Sequence, residues 1–260
     1  MANPLFIVGT GRCGTRFLHD VLKLEQKVAV HHERYPLMEA FQRYCRWYEL
    51  DVDSLGFLAA MDKGIEVDLS RNDFSVESSA YLSFDVDLLQ ERYGAKILLM
   101  VRSPEAVINS YVNKGWYDRP YIQEDGAKAL GYQGYEAGHH NFSRIAPRGD
   151  EFVSWSNLGR VGKLAWMWAN FNKKVLDLTG QLPAESVQVV RLEDLDFLKY
   201  KSICEWAGVP CSISERAFTK LSKSKPNKIP SKFDSNTWSD LDWTDYRHYV
   251  SSLASELGYN

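Results

Sequence analysis

Apolar positions follow two periods along this chain, and the alternation between them sets the fold class. Leu5 to Val8 is a short continuous apolar run rich in β-formers, which predicts a strand buried on both faces. A glycine-rich stretch, GTGRCGT, follows it, and Phe17, Leu18, Val21, Leu22 and Leu24 then recur at helical spacing. The pattern returns at Ile97 to Val101, where Ser103 is placed to cap the next helix and Pro104 to open it. It returns again at Val187 to Val190, followed by a helix carrying Leu195, Leu198, Ile203 and Trp206. Shorter runs at Val28 to Val30 and Phe74 to Val76 predict two weaker strands. Strands alternating with helices imply a three-layer α/β fold with a central parallel sheet of about five strands, the glycine loop following the first.

Leu158 to Leu178 reads as one long helix, with Leu164, Trp168, Phe171, Val175 and Leu178 on one face. Gly115 to Asn157, just before it, has weak periodicity and carries Trp116, Tyr117, Tyr121, Tyr132, Tyr135 and Trp155. That composition fits an insertion over a site, its aromatic residues serving either as packing or as pocket lining. The polar segment SKSKPNKIPSKFDSNTW leads to a last helix at about Trp243 to Leu257, and its Lys225, Lys228 and Lys232 read as solvated charge. No internal repeat interrupts this order, so residues 1–260 are expected to form a single domain with the insertion at about 115–157.

Composition narrows the function. A hydrophobic content of 45% over 260 residues supports a sizeable core. A formal net charge of -3 gives no overall basic field, so nucleic acid is not the expected partner and any anion must be held locally. Cys13, Cys45, Cys204 and Cys211 are spaced like neither a disulfide framework nor a paired zinc motif, and are expected as reduced thiols. No apolar run approaches the ~18 residues of a membrane span, and the first residues lack the pattern of a signal peptide. The expectation is a cytoplasmic protein without a membrane partner.

The glycine loop nearly spells a nucleotide-binding motif. Gly9 and Gly14 have the separation of G-x-x-x-x-G-K-[ST], but Thr15 stands where the lysine belongs and Arg16 where the magnesium-binding hydroxyl belongs. What remains is a helix N-terminus with backbone N–H groups, two arginines, Arg12 and Arg16, and the Thr15 hydroxyl. Arginines there oppose the helix dipole unless an anion is bound. The set is an anion cradle that needs no metal. A metal site at His31, His32, Glu33, His139 and His140 is disfavoured, because adjacent histidines point apart and the spacing fits no zinc pattern.

GTGRCGTRFL resembles the 5'-phosphosulfate loop of sulfotransferases that use 3'-phosphoadenosine 5'-phosphosulfate (PAPS), a loop close to [K/R]-S-G-T-[T/S]. Arg12 takes the basic position, Cys13 replaces the usual serine, Gly14 and Thr15 match, and Arg16 replaces a hydroxyl residue. ILLMVRSPEAVINSYV resembles that family's 3'-phosphate segment, with Arg102 ending a strand and Ser110 eight positions on. Ser110 lies ~9 Å along the helix from Pro104, within the span of an arginine side chain. VVRLEDL, with Arg191, and CEWAGVP resemble later segments, so the likeness runs from about Leu5 to Pro210.

The resemblance implies that Gly11, Arg12, Cys13, Gly14, Thr15, Arg16, Arg102, Ser110 and Arg191 hold PAPS, without a metal. It implies sulfuryl transfer to a hydroxyl or amine of a small-molecule or carbohydrate acceptor, whose site the insertion covers. Glu33, in HHERYP after the second strand, is the expected general base with His31 and His32 behind it, and Arg12 the expected neutraliser of the leaving phosphate. One departure stands out. Val76 to Leu82 lacks the lysine frequent in the family there and carries Glu77, which becomes a second candidate base. A divergent P-loop nucleotide or nucleoside kinase and a non-catalytic adenosine-bisphosphate-binding module remain the competing readings.

Overall fold

A computed structural model of the chain describes residues 3–117, 142–224 and 233–259. Strands β1 (Leu5–Gly9), β2 (Val28–His32), β3 (Phe74–Ser78), β4 (Lys96–Val101) and β5 (Val187–Arg191) pair in parallel in the order β2-β3-β1-β4-β5. Period-2 alternation splits their side chains between two cores. Leu5, Ile7, Leu98 and Met100 face one layer, where they meet Leu18, Val21 and Leu22 of helix α1 (Thr15–Leu22). Phe6, Val8, Ile97, Leu99 and Val101 face the other, against Phe84, Leu164, Trp168 and Phe171.

The remaining helices are α2 (Pro36–Tyr48), α3 (Leu55–Leu69), α4 (Val86–Tyr93), α5 (Pro104–Asn113), α6 (Glu151–Ser156), α7 (Arg160–Thr179), α8 (Phe197–Ala207), α9 (Glu215–Ser224) and α10 (Asp240–Glu256). Ser103 caps α5, its Oγ accepting from the Ala106 N–H, and Pro104 opens it. After β1 the chain crosses to the sheet edge for β2 and returns through β3, whereas β4 lies on the opposite side of β1. Connections diverge at the carboxyl end of β1, which is where open α/β sheets form their binding crevice. The glycine loop occupies that point.

Two strands run further than their apolar cores suggest. Pairing of His31 with Glu77 and of His32 with Ser78 extends β2 and β3 by polar residues. Within the described part of the insertion, Trp155 and Tyr117 are core residues, the Tyr117 hydroxyl donating to the Ile145 carbonyl. Trp116 is half-buried beside them, and Tyr121, Tyr132, Tyr135, His139 and His140 lie outside the described residues, as do Lys225, Lys228 and Lys232. No helix among the described residues is long and apolar enough to cross a membrane. All four cysteines are free thiols.

Candidate functional site

The loop after β1 is held in place from outside itself. Ser83 Oγ accepts from the Gly9 N–H and donates to the Gly9 carbonyl, each at 3.0 Å. The Tyr111 hydroxyl donates to the Thr10 carbonyl at 2.6 Å, and Ser78 Oγ to the Thr15 carbonyl at 2.8 Å. Gly11 has φ +80, and a Cβ there would lie 2.5 Å from the Tyr111 oxygen, so only glycine fits. Gly11→Ala is expected to lower the unfolding free energy by roughly 1–3 kcal/mol, read as a lower urea midpoint at unchanged m-value.

Gly14, with φ +103, forms the N-cap of α1 and supplies no side chain to its first turn, which also lacks an acidic residue. No N-cap side chain therefore occupies the first N–H groups of α1. Cys13 turns the other way. Its buried thiol packs under the loop, and burial pushes its pKa up. Only its backbone is available to a ligand.

On this loop Arg12 meets two residues that lie at least ninety positions further along the chain. Arg12, itself at φ 58, donates from Nε to Ser110 Oγ at 2.7 Å, and Arg102 donates to the Arg12 carbonyl at 2.9 Å. The spacing of Arg102 and Ser110 thus converges on one point, with Arg12 between them. Arg16 reaches outward and pairs with Asp20 one turn along α1.

The end of β2 sends successive side chains to opposite faces. His31 bonds Asp68 at 2.9 Å on the α3 side, where Arg34 also bonds Asp68 and Glu77. Glu77 is buried and held by the Arg34 side chain and backbone N–H, which makes it part of a structural ion-pair cluster. His32 and Glu33 face the crevice. Burial, then the charges of Arg16 and His19, hold His32 down at about 4, so it is neutral at neutral pH. Glu33 sits at φ 54, and among the described residues no donor hydrogen-bonds its carboxylate; His32 Nδ1 is 3.9 Å away. Burial, and then the nearby Glu39, push its pKa up, opposed by Arg43, Lys114 and Arg16.

These groups line one cavity of about 840 Å³. The loop from Thr10 to Arg16 (Cys13 excepted), Arg102 and Ser110 line it on one side, and His32, Glu33, Tyr81 and Trp116 on the other. Arg191 is not among its lining residues. It pairs with Asp194, bonds the Gly258 carbonyl and lies over the Tyr259 ring, which ties the end of β5 to the segment after α10. Glu193, two residues on, accepts from the Ser103 N–H at the start of α5.

No family model and no curated protein sequence matches the chain. Solved structures do. A sulfotransferase domain from the curacin biosynthetic pathway aligns at 16% identity over 100% of this chain and 99% of that one, with a TM-score of 0.51. A sulfotransferase from Alicyclobacillus acidocaldarius aligns at 16% identity over 100% of this chain and 98% of that one, with a TM-score of 0.51. The sulfotransferase domain of the Synechococcus PCC 7002 olefin synthase aligns at 13% identity over 100% of this chain and 97% of that one, with a TM-score of 0.50. The chain has the sulfotransferase fold.

Within that sulfotransferase fold, two cavity residues escape a reading by motif. Arg43 of α2 is fully buried, donates to the Ala80 and Ser143 carbonyls, and lies 4.6 Å from the Tyr81 ring centroid. Lys114 follows α5. A signal for it existed in the sequence: four residues after Ser110, it falls on the same helical face.

Proposed function

We propose that the chain transfers a sulfuryl group from PAPS to a hydroxyl or amine of a small-molecule or carbohydrate acceptor. The observation that carries this reading is the meeting of Arg12, Ser110 and Arg102 at an uncapped helix start, with an unbonded carboxylate, Glu33, lining the same cavity. Backbone N–H groups of α1 and the Thr15 hydroxyl fit a 5'-phosphosulfate, and Arg102 with Ser110 fit a 3'-phosphate. PAPS supplies the activated sulfuryl group. Arg12, close to both Arg102 and Ser110, steadies charge collecting on the leaving phosphate.

Glu33 takes the acceptor proton. A carboxylate without a hydrogen-bond donor, raised by burial, is a stronger base than a solvated one. Trp116 and Tyr81 form the acceptor end of the cavity, and we assign the segment at about 115–157 to cover it in a single domain. The absence of the Walker lysine and hydroxyl at Thr15 and Arg16 disfavours a magnesium-dependent kinase. Four free thiols support a reducing compartment, and the reading puts the reaction in the cytoplasm.

The test is to supply PAPS with pools of phenols, sugars and amines and follow them by mass spectrometry. The reading expects an acceptor to gain one sulfuryl group without added magnesium; gain of a phosphoryl group from ATP instead would reject it.

Arg102→Ala is expected to weaken adenosine 3',5'-bisphosphate by about 1.5–3 kcal/mol, the worth of a charge-assisted hydrogen bond, and Ser110→Ala by about half as much. Isothermal titration of the two folded variants checks both; wild-type affinity in the pair would remove the 3'-phosphate from this site.

A further inference from the structure

The arginines around helix α2 are matched with acids, with one exception. Arg34, just before the helix, bonds Asp68 and Glu77, and Arg46, near its end, bonds Asp87. Arg43 lies between them, is 3% exposed, and forms no ion pair with a carboxylate among the described residues. Glu39, one turn earlier on the same helix, is taken up by the Ser79 hydroxyl and the Tyr35 N–H. A guanidinium has five N–H groups. Arg43 donates to the Ala80 carbonyl at 3.3 Å and to the Ser143 carbonyl at 2.7 Å, and its Nε bonds nothing. The Tyr81 and Phe171 ring centroids lie 4.6 and 5.8 Å from it. Carbonyls and rings solvate a cation in part, but a fully buried charge with no counter-charge and an unused donor is a standing cost to the fold.

Its position gives that charge a use. Arg43 lines the cavity together with its two carbonyl residues, Ala80 and Ser143, and with Tyr81 and Glu33. Its charge opposes the effect of burial on Glu33, so both act on one volume although no ion pair joins them. In the reading above, Arg12, Arg102, Ser110 and the start of α1 serve the phosphates of the nucleotide. Arg43, on the acceptor side, is left without an anion.

We propose that Arg43 is a specificity-determining residue that holds an anionic group of the acceptor. The substrate class is then a hydroxyl or amine compound that also carries a carboxylate or a comparable oxyanion. This rests on the PAPS-dependent reading above. Such an acceptor supplies the counter-charge that Arg43 lacks and presents its hydroxyl or amine to Glu33. Arg43 keeps its proton throughout and takes no part in bond making.

The experiment supplies PAPS with matched acceptors: 4-hydroxybenzoate and 4-hydroxybenzamide, glucuronate and glucose, 4-(aminomethyl)benzoate and its amide. Wild type should sulfate the acid of a pair with a kcat/KM about ten- to a hundredfold above that of its neutral partner, most of it in KM. Arg43→Gln and Arg43→Met should bring that ratio to within about threefold of unity, and Arg43→Lys should keep most of it. Affinity for PAPS and for adenosine 3',5'-bisphosphate should stay within about threefold of wild type in all three. The ratio is read within one protein, so a smaller folded fraction cancels, and the wild-type ratio decides even where a neutral variant does not fold. A wild type that treats both members alike or favours the neutral ones overturns the proposal, as does a ratio that persists in the neutral variants. Weakened PAPS affinity in Arg43→Gln with an unchanged ratio would place the residue at the donor and overturn it equally. Bisphosphate binding with no acceptor sulfated at all defeats the transfer reading itself, and this proposal with it.

Discussion

Glu33→Gln is expected to lower turnover by about 10²–10⁴-fold, the worth of a general base, while bisphosphate affinity stays close to wild type. Glutamine keeps the size and the packing of the side chain and removes only its charge and its proton affinity. Because burial raises the Glu33 pKa, the wild-type rate should fall on the acid side at a pH above the ordinary carboxylate range. That limb belongs to a group needed in its deprotonated form, so it should vanish from the residual activity of the variant. His32→Asn and Glu77→Gln are the comparisons. His32 is neutral at working pH and could also accept a proton, whereas Glu77 is locked to Arg34. Near-wild-type turnover in Glu33→Gln, with loss in His32→Asn, would pass the role to the histidine.

Arg34→Met should cost about 3–5 kcal/mol of folding free energy, because it strips the guanidinium from two buried carboxylates rather than removing a surface pair. Arg34 bonds Glu77 at 3.0 Å and also Asp68, and both acids are nearly inaccessible. For a chain of this size that corresponds to a melting temperature lower by roughly 6–20 °C. The loss should depend on pH with a definite sign. Burial, then Glu39, already raise the Glu77 pKa in the wild type, and loss of Arg34 raises it further. A raised folded pKa contributes stability below the unfolded value and loses it as pH rises through the folded one. The deficit of Arg34→Met should therefore be smallest in acid and grow above the ordinary carboxylate range, and adding Glu77→Gln should recover part of it. Thermal melts from acid to mildly alkaline pH check both; a deficit that ignores pH would mean that the cluster is not ionised as described.

Both residues flank a strand end, and the strand ends mark the limit of what the sequence made legible. The β1, β4 and β5 runs stood out because parallel strands covered on both faces are continuously apolar, and their loops carried recognisable chemistry. The convergence of Arg12, Arg102 and Ser110 was legible as spacing, although the direct bond from Arg12 to Ser110 was not. Helix α2 was invisible for a physical reason. It buries Glu39, Gln42 and Arg43 while Leu37, Met38 and Phe41 stay exposed, which inverts the pattern that identifies a helix. Arg43 was hidden with it. Glu77 reads in the sequence as a second candidate base, and its burial at the end of β3 and its bonds to Arg34 emerge only in the fold. Arg191 matched a motif, yet a partner three residues on, Asp194, holds its guanidinium.

The central claim is that this cavity selects a nucleotide by its 3'-phosphate, without a metal. Its most direct test is the melting temperature of the wild type in EDTA with adenosine 3',5'-bisphosphate, compared with AMP and ADP at the same concentration. A ligand stabilises in proportion to its occupancy of the native state, and at about a hundred times its dissociation constant contributes roughly 2.7 kcal/mol. The account expects a clear rise with the bisphosphate and little with AMP or ADP. Equal shifts from AMP and the bisphosphate, or a shift that appears only with magnesium, would contradict it.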